Sequence, residues 1–195
     1  MANISKFDRE DVLERAKNLF WQKGFLATST REIQTAMDMR PGSIYAAFGS
    51  KADLYQASLM RYAQAGEQNL NNMLEQHDRA WVGLTHYLRG LIKPCCEGSP
   101  SELCMLVRTL SELDESHPET LNVARELLSK FEQRFASIID QAKLEGDLPA
   151  HLDSQLTAKK IQINIIGLRS YLKATDDVDM VRQQQEEFFT QLASV

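Results

Sequence analysis

The segment between positions 31 and 45 carries polar side chains whose types and spacing suit contact with DNA. These side chains are Arg31, Arg40, Ser43 and Tyr45. Hydroxyl groups and helix N-termini suit phosphate oxygens, and an arginine can bind the edge of guanine through two hydrogen bonds. Small side chains in the same segment would let a helix lie close against the duplex: Gly42, Ser43, Ala46 and Ala47.

Two short helices joined by a three-residue turn would position these side chains. Ser29 and Glu32 have the spacing of a capping box, which predicts a helix start just before Ile33. Pro41 suits the first position of a second helix, which Gly49 would end. The pattern predicts a helix-turn-helix. The residues expected to pack it onto a first helix, near Leu19 and Phe25, are Ile33, Met37, Ile44 and Phe48.

The charge of the chain is distributed unevenly. Its net charge of −5 by itself disfavours a nucleic-acid partner. Residues 1–51, however, carry eight Lys or Arg and six Asp or Glu, a net charge of +2, whereas the other 144 residues carry 14 and 21, a net charge of −7. The mildly basic N-terminal part is therefore where we expect contact with DNA.

The stretches Thr28-Ser29-Thr30-Arg31-Glu32-Ile33 and Arg40-Pro41-Gly42-Ser43-Ile44-Tyr45-Ala46-Ala47-Phe48-Gly49-Ser50-Lys51 resemble the DNA-binding signature of the TetR family of bacterial transcriptional regulators. The resemblance covers roughly residues 8–55. It implies that Ser29 and Thr30 hold a phosphate, that Arg31 reaches a base edge or a phosphate, and that Tyr45 and Lys51 bind phosphates. The base-facing start of the recognition helix would be formed by Arg40, Pro41, Gly42 and Ser43. For Tyr45 a role in the core, and for Lys51 a solvated surface position, are the alternatives, whereas Phe48 is expected in the core.

Helical periodicity runs along the whole chain, and no stretch shows sustained strand alternation. We expect an all-α fold of about nine helices, with a helix-turn-helix domain at 1–51 and an effector-binding and dimerisation domain at 52–195. Ser50 would cap a fourth helix that runs from Lys51 into the 70s. Ser116 and Glu119 have capping-box spacing around Pro118. The later helices are expected at Ala80–Pro94, Glu102–Leu113, Pro118 to about Gly146, Asp153–Thr175 and Val178–Ala193.

The last two helices carry more apolar surface than one intrachain face requires. The resemblance implies that they pair with those of a second copy in a four-helix bundle, against the alternative of a monomer whose terminal helices are internal core. A two-fold dimer would place two recognition helices roughly 34–36 Å apart, so the operator is expected to be a pseudo-palindrome. The residues expected at the dimer interface are Ile161, Ile165, Leu168, Leu172, Val181, Phe188 and Leu192.

The family resemblance also implies a pocket for a small-molecule effector that releases the operator. Polar or aromatic groups on otherwise apolar helices are the candidate lining: His86, Tyr87, Met105, Arg108, Phe131, Phe135 and Asn164. A core or surface role is the alternative for each, and Arg108 and Glu112 have the spacing of an ordinary helix-surface pair. Cys104 is a candidate redox sensor, with an inert buried thiol as the alternative.

Other classes of protein find little support in the sequence. It shows no Gly-rich phosphate loop, no metal-binding spacing among its four histidines and no nucleophile elbow, so we expect neither an enzyme nor a bound metal or cofactor. No apolar run is long enough to span a membrane, and an odd number of cysteines favours the cytoplasm. The expected function is a ligand-responsive repressor. The alternatives are a helical protein-binding adaptor that has lost DNA binding and, further from the pattern, an enzyme.

Overall fold

Nine α-helices and no strand make up the part of the chain that the structure, a computed structural model, describes: residues 8–92 and 100–194. The all-α prediction with about nine helices is confirmed. The helices are α1 (Arg9–Lys23), α2 (Thr30–Met37), α3 (Pro41–Phe48), α4 (Lys51–Glu75), α5 (Ala80–Gly90), α6 (Met105–Glu112), α7 (Pro118–Leu144), α8 (Ser154–Thr175) and α9 (Val178–Ser194).

Local sequence signals set the starts of α2, α3 and α4. The Ser29 hydroxyl accepts from the backbone N–H of Glu32, and the Glu32 carboxylate accepts from the backbone N–H of Ser29, so the predicted capping box is confirmed. Ser50 caps α4 through the same reciprocal pair with Asp53. Pro41 occupies the first turn of α3, where its missing N–H costs nothing.

The start of α7 differs from the prediction. The residue that precedes the helix is His117, whose side chain makes no capping hydrogen bond, so the expected capping box of Ser116 and Glu119 is wrong. The Ser116 hydroxyl is instead held by the carboxylate of Asp114, two residues earlier. A nearer acceptor in the preceding turn therefore takes the hydroxyl away from the helix.

Two further helices are shorter than predicted. Helix α6 begins at Met105, three residues later than expected. Helix α5 ends at Gly90, well before the expected end at Pro94. The predicted loop at 95–100 lies outside the described residues except for its last position, and so do Cys95 and Cys96.

The buried apolar residues form two hydrophobic cores, and α4 contributes residues to both. The N-terminal core joins α1, α2 and α3 to the first half of α4, to α6 and to the start of α7. Phe20 and Tyr55 meet there edge to face, with ring centroids 4.9 Å apart. The C-terminal core joins the end of α4, at Leu70, to α5, α7, α8 and α9. A boundary at 51/52 stays a prediction, and packing in the N-terminal core continues across it.

The residues predicted for a dimer interface are placed mainly inside the chain itself. Five of the seven are buried in the C-terminal core, and the other two are half-buried against it. Helix α8 packs on both α7 and α9, which accounts for its buried apolar residues, whereas Ile163 on the same helix is 71% exposed. The five buried residues are Ile161, Ile165, Leu172, Val181 and Leu192, and the two half-buried ones are Leu168 and Phe188.

Candidate DNA-binding surface and central cavity

The outer side of α2 and α3 carries the polar side chains that the sequence singled out. Thr30 and Arg31 are exposed at the start of α2, and Arg40 is exposed just before α3. No side-chain hydrogen bond caps the N-terminus of α3, so the positive end of that helix faces solvent beside Gly42 and Ser43, which are exposed as well. Exposed Pro41 opens the helix. We call this side the α2–α3 face: Thr30, Arg31, Arg40, Pro41, Gly42, Ser43 and Tyr45.

Helix α3 is anchored by its inner side. Ile44 is fully buried and Phe48 is 8% exposed, which confirms the predicted core role of both. Tyr45 lies between the two sides: its ring is half-buried against the N-terminal core, and its hydroxyl donates to Thr30 Oγ1 at 3.4 Å. That contact brings hydroxyls from two helices together at the surface, and hydroxyl groups are among the side chains that bind phosphate oxygens.

Ser29 and Lys51 are less free than the other candidate DNA contacts. The Ser29 hydroxyl donates to Glu32 Oε2 at 2.7 Å while it caps α2. Lys23 also binds that carboxylate, and these hydrogen bonds lower the pKa of Glu32 to about 2. Lys51 lies over the ring of Phe25, with Nζ 4.4 Å from the centroid, and partial burial lowers its pKa. Both residues sit at helix starts, where a phosphate would have to compete for them.

Two side chains of α6 hydrogen-bond to the backbone at the turn between α1 and α2. The Arg108 guanidinium donates to the last carbonyl oxygens of α1, those of Trp21, Gln22 and Lys23, at 2.9–3.1 Å. At the other end of α6, Glu112 accepts from the backbone N–H groups of Phe25 and Leu26. We call this arrangement the α6 clamp: Arg108 and Glu112 together with backbone groups of residues 21–26. It satisfies helix-end groups that would otherwise lack partners.

Gly24 makes the α6 clamp possible. Its φ of +86° with ψ of 177° is a conformation that is essentially restricted to glycine. A Cβ at this position would also overlap the Glu112 carboxylate. Sequence reasoning assigned Arg108 and Glu112 to an ordinary surface pair, but their own contact is long, at 4.0 Å. The partners that matter are 85–87 residues away in sequence, and no local pattern marks them.

A cavity of about 320 Å³, the central cavity, lies between α1, α4, α5, α7 and α8. Three of the seven predicted pocket residues, Tyr87, Phe131 and Phe135, line it. Trp21 and Tyr62 complete the aromatic part of its wall. The size falls at the lower end of the roughly 300–1,000 Å³ that is typical of small-molecule sites.

The other four predicted pocket residues lie elsewhere. Met105 is fully buried in the N-terminal core, and Arg108 belongs to the α6 clamp. The ring of His86 stacks on that of His77, with centroids 4.3 Å apart, beside a surface groove between α5 and α9. Asn164 is half-buried on α8, and its Oδ1 lacks a hydrogen-bond partner. The sequence pattern marks groups of this kind on otherwise apolar helices but does not tell which of them line a cavity, and His86 is exposed at the surface.

Polar groups that the sequence did not single out also line the central cavity. Arg169 of α8 is only 8% exposed, and its Nε donates to the backbone oxygen of Glu102 at 2.6 Å. Tyr62 lies close to both Arg169 and Cys104. Burial and the neighbouring Cys104 raise the pKa of Tyr62, and Arg169 partly opposes that shift. Cys104 itself is half-buried at the start of α6 and lines the cavity, and its sensor role stays a prediction.

Residues 8–92 and 100–194 contain neither a candidate metal-binding cluster nor a candidate membrane-spanning helix. Nowhere in these ranges do three His, Cys, Asp or Glu side chains gather in a way that could hold a metal ion. None of the helices in these ranges is both long enough and apolar enough to span a membrane.

Comparison with known proteins identifies similar sequences for both parts of the chain. Residues 12–58 match the family model of bacterial regulatory proteins, tetR family, and residues 87–188 match that of the tetracyclin repressor-like C-terminal domain. The HTH-type transcriptional repressor ComR of Escherichia coli (strain K12) is 24% identical over 164 residues, which cover 83% of this chain and 78% of ComR. The repressor BdcR of the same organism is 29% identical over 119 residues, 61% of this chain and 59% of BdcR.

Solved structures share the fold over nearly the whole length. A TetR family transcriptional regulator from Cytophaga hutchinsonii superposes with a TM-score of 0.85 at 20% identity, covering 100% of both chains. A cysteine mutant of the TetR family regulator CifR, complexed with 26-bp double-strand operator DNA, superposes with a TM-score of 0.86 at 22% identity, covering 98% of this chain and 100% of that one. At these identities the likeness establishes the arrangement of the helices.

Proposed function

The chain belongs to the TetR family of bacterial regulatory proteins, and from that premise we propose that it is a repressor that binds a pseudo-palindromic operator as a homodimer and releases it when a small-molecule effector binds. The observation that carries the proposal is the α2–α3 face. Its hydroxyl, arginine and helix-terminus groups are exposed, while Ile44 and Phe48 fix the helix that presents them. Because it would bind operator DNA, the protein would act in the bacterial cytoplasm.

On this proposal the contacts divide into two kinds. Thr30 and Tyr45, whose hydroxyls lie together, bind one phosphate, and Lys51 binds another when it leaves the Phe25 ring. Arg31 and Arg40 reach base edges, because they are the long, charged and exposed side chains of this face. Ser29 chiefly caps α2 and contributes by orienting its first turn.

The homodimer would form through the outer side of α8 and α9. Leu156, Ile163 and Tyr171 recur at helical spacing on α8 and are 50%, 71% and 48% exposed. Met180 of α9, 43% exposed, borders a shallow groove next to Tyr171. A stripe of several exposed, large apolar side chains is typical of a protein–protein interface. Sedimentation should show that Ile163→Lys shifts a dimer to monomers, whereas Leu144→Lys, at an 84% exposed position on α7, leaves it intact.

The α6 clamp offers a route from effector to operator. Cys104 and Leu106, at the start of α6, line the central cavity, and Arg108 and Glu112 further along hold the α1–α2 turn. A ligand that moves the start of α6 would therefore move α1 and α2 as well. Release follows if the ligand prefers an arrangement in which the two α2–α3 faces of the dimer no longer match the operator.

The proposed function is tested by a salt titration of binding to DNA from upstream of the gene, against unrelated DNA as competitor. We expect sequence-specific binding that weakens as salt rises. Tyr45→Ala and Lys51→Ala should weaken it, and Lys51→Ala should reduce the salt slope by about 2 for a dimer, since each protomer loses one phosphate contact. Lys130→Ala, at an exposed position on α7, is the control.

Weak binding that is equal on all sequences and unaffected by Tyr45→Ala or Lys51→Ala would contradict the proposal. It would favour the protein-binding adaptor. Detectable turnover of a substrate would favour an enzyme instead.

A further inference from the structure

Arg169 places a positive charge in the wall of the central cavity without a matching negative one. Among the described residues, no carboxylate oxygen lies within 4.0 Å of its guanidinium. Its Nε donates to the backbone oxygen of Glu102 and the guanidinium also hydrogen-bonds the side chain of Tyr62, which leaves the other N–H groups of its two Nη atoms as further donors. A buried cation is costly unless a charge or several acceptors balance it.

The other charged groups of the cavity wall already have partners. The buried ammonium group of Lys17 binds Glu14, three residues earlier in α1. The carboxylate of Glu102 lies 3.3 Å from the ammonium group of Lys173 as an ion pair, although its buried Oε2 accepts no hydrogen bond. Once these pairs are set aside, the wall carries one unit of positive charge, at Arg169. The cavity is therefore electrostatically suited to a ligand with a single negative charge.

The rest of the wall sets the shape and polarity of such a ligand. Tyr87, Phe131 and Phe135 form an aromatic side, and Leu128 and Ile165 extend it with aliphatic groups. About 320 Å³ accommodates a small molecule but not a long chain with a bulky head group. Apolar walls with a few convergent polar groups are typical of small-molecule sites.

We infer that the central cavity binds a small monocarboxylic acid with an aromatic or short alkyl body, whose carboxylate pairs with Arg169. A guanidinium matches the planar carboxylate with two parallel N–H donors, and the hydroxyl of Tyr62 lies beside it. Because the wall carries one unit of positive charge, a phosphate monoester with two negative charges fits less well. The inference rests on the proposed function only in taking this cavity as the effector site.

Calorimetric titration with matched probes tests the inference. The probes are benzoate, 3-phenylpropanoate and octanoate, each paired with its neutral carboxamide, and phenyl phosphate as a dianion. We expect at least one acid to bind about 10-fold or more tightly than its amide, because only the acid gains the charge-assisted pair. Phenyl phosphate should bind more weakly than that acid.

Substitutions assign the preference to Arg169. Arg169→Gln should weaken the acid by about 10- to 100-fold and leave its amide within about twofold, because only the acid loses a charged partner. Arg169→Lys keeps the charge without the two-donor geometry, so it should keep a reduced preference for the acid. The matched control is Arg134→Gln, which removes a half-buried arginine of α7 that binds Asn71 outside the central cavity.

Several results would overturn the inference. These are equal binding of acids and amides, equal weakening of both by Arg169→Gln, tighter binding of phenyl phosphate, or no binding of any acid below about 5 mM. If Arg169→Gln fails to fold, the comparison of acid with amide in the wild type and in Arg169→Lys decides. Operator binding is measured in parallel without ligand: operator binding without an acid preference rejects this inference alone, and an acid preference without operator binding rejects the proposed function alone.

Discussion

The α2–α3 face and the central cavity are built in different ways. The face draws its polar groups from 16 consecutive positions, Thr30 to Tyr45, and points them at solvent. The cavity draws its wall from α1, α4, α5, α7 and α8, together with residues just before α6, and encloses them. A surface that reads a large, regular partner can be encoded locally, whereas a site for a small molecule needs groups that only the tertiary fold brings together.

The largest effect that would test this comparison concerns the arginines of the α2–α3 face. Arg31→Ala with Arg40→Ala should lower operator affinity on the order of 100-fold or more, because each arginine contributes about 1–3 kcal/mol when it reads a base. Both side chains are exposed, so thermal stability and ligand binding should stay unchanged. Fluorescence anisotropy with labelled operator measures the loss.

Arg125→Ala is the control for that double variant, since Arg125 is an exposed arginine on α7, away from the α2–α3 face. If the control lowered affinity as much as the double variant, the effect would come from net charge, and the local character of the face would be lost.

The next effect concerns the α6 clamp, where the two regions meet. Gly24→Ala should lower the free energy of unfolding by about 2–4 kcal/mol, because it strains the backbone and displaces the Glu112 carboxylate from two N–H groups. In a Glu112→Ala background the same change should cost only about 1–2 kcal/mol of backbone strain. Urea unfolding of the four proteins gives the coupling energy, and additive effects would show that the clamp does not link the two residues.

Removal of a tyrosine hydroxyl should have opposite effects at Tyr55, in the N-terminal core, and at Tyr45, on the α2–α3 face. Tyr55→Phe removes a buried hydrogen bond of 2.8 Å to Thr109 and should cost about 1 kcal/mol of stability, with operator affinity unchanged. Tyr45→Phe should do the reverse: a loss of about fivefold in operator affinity and a stability change within about 0.5 kcal/mol. Chemical unfolding and DNA titration of both variants provide the measurement. If Tyr45→Phe lowered stability as much as Tyr55→Phe does, the hydroxyl of Tyr45 would serve the core and not the operator.

The smallest effect is a pH dependence at the start of α2. Hydrogen bonds from Lys23 and Ser29 lower the pKa of Glu32 to about 2, so the charged carboxylate stabilises the folded state. That stabilisation is complete above the ordinary pKa of 4.5 and is lost as the pH falls from there towards 2. The stability difference between wild type and Glu32→Gln should shrink over this range. An NMR titration that placed the pKa of Glu32 near 4.5 would contradict the prediction.

Sequence analysis succeeded where the determinants were local. The capping box of Ser29 and Glu32, the proline at the start of α3 and the inward Ile44 and Phe48 all follow from spacing within one or two turns. The same kind of rule failed for Ser116, because Asp114 offered its hydroxyl a competing acceptor. Local patterns are reliable only where no nearer partner exists.

The features that could not be predicted from the sequence depend on contacts between residues far apart in the chain, which sequence spacing does not show. An apolar residue such as Ile161 shows that a helix side is covered, but not whether its own chain or a second copy covers it. Arg108 and Glu112 fit a surface pair until α1 is brought against them by folding. Arg169 gave no signal at all, because its place in the cavity wall depends on contacts with residues far away in sequence, such as the backbone oxygen of Glu102.

Hydroxyl-radical footprinting of the operator records where the α2–α3 faces of a dimer touch the DNA backbone. We expect two symmetric protected segments about one helical turn apart, both lost in the Arg31→Ala, Arg40→Ala double variant. Ile163→Lys should weaken both segments together, because a monomer binds one half-site poorly. A single protected segment, or uniform protection that does not depend on Arg31 and Arg40, would contradict this expectation.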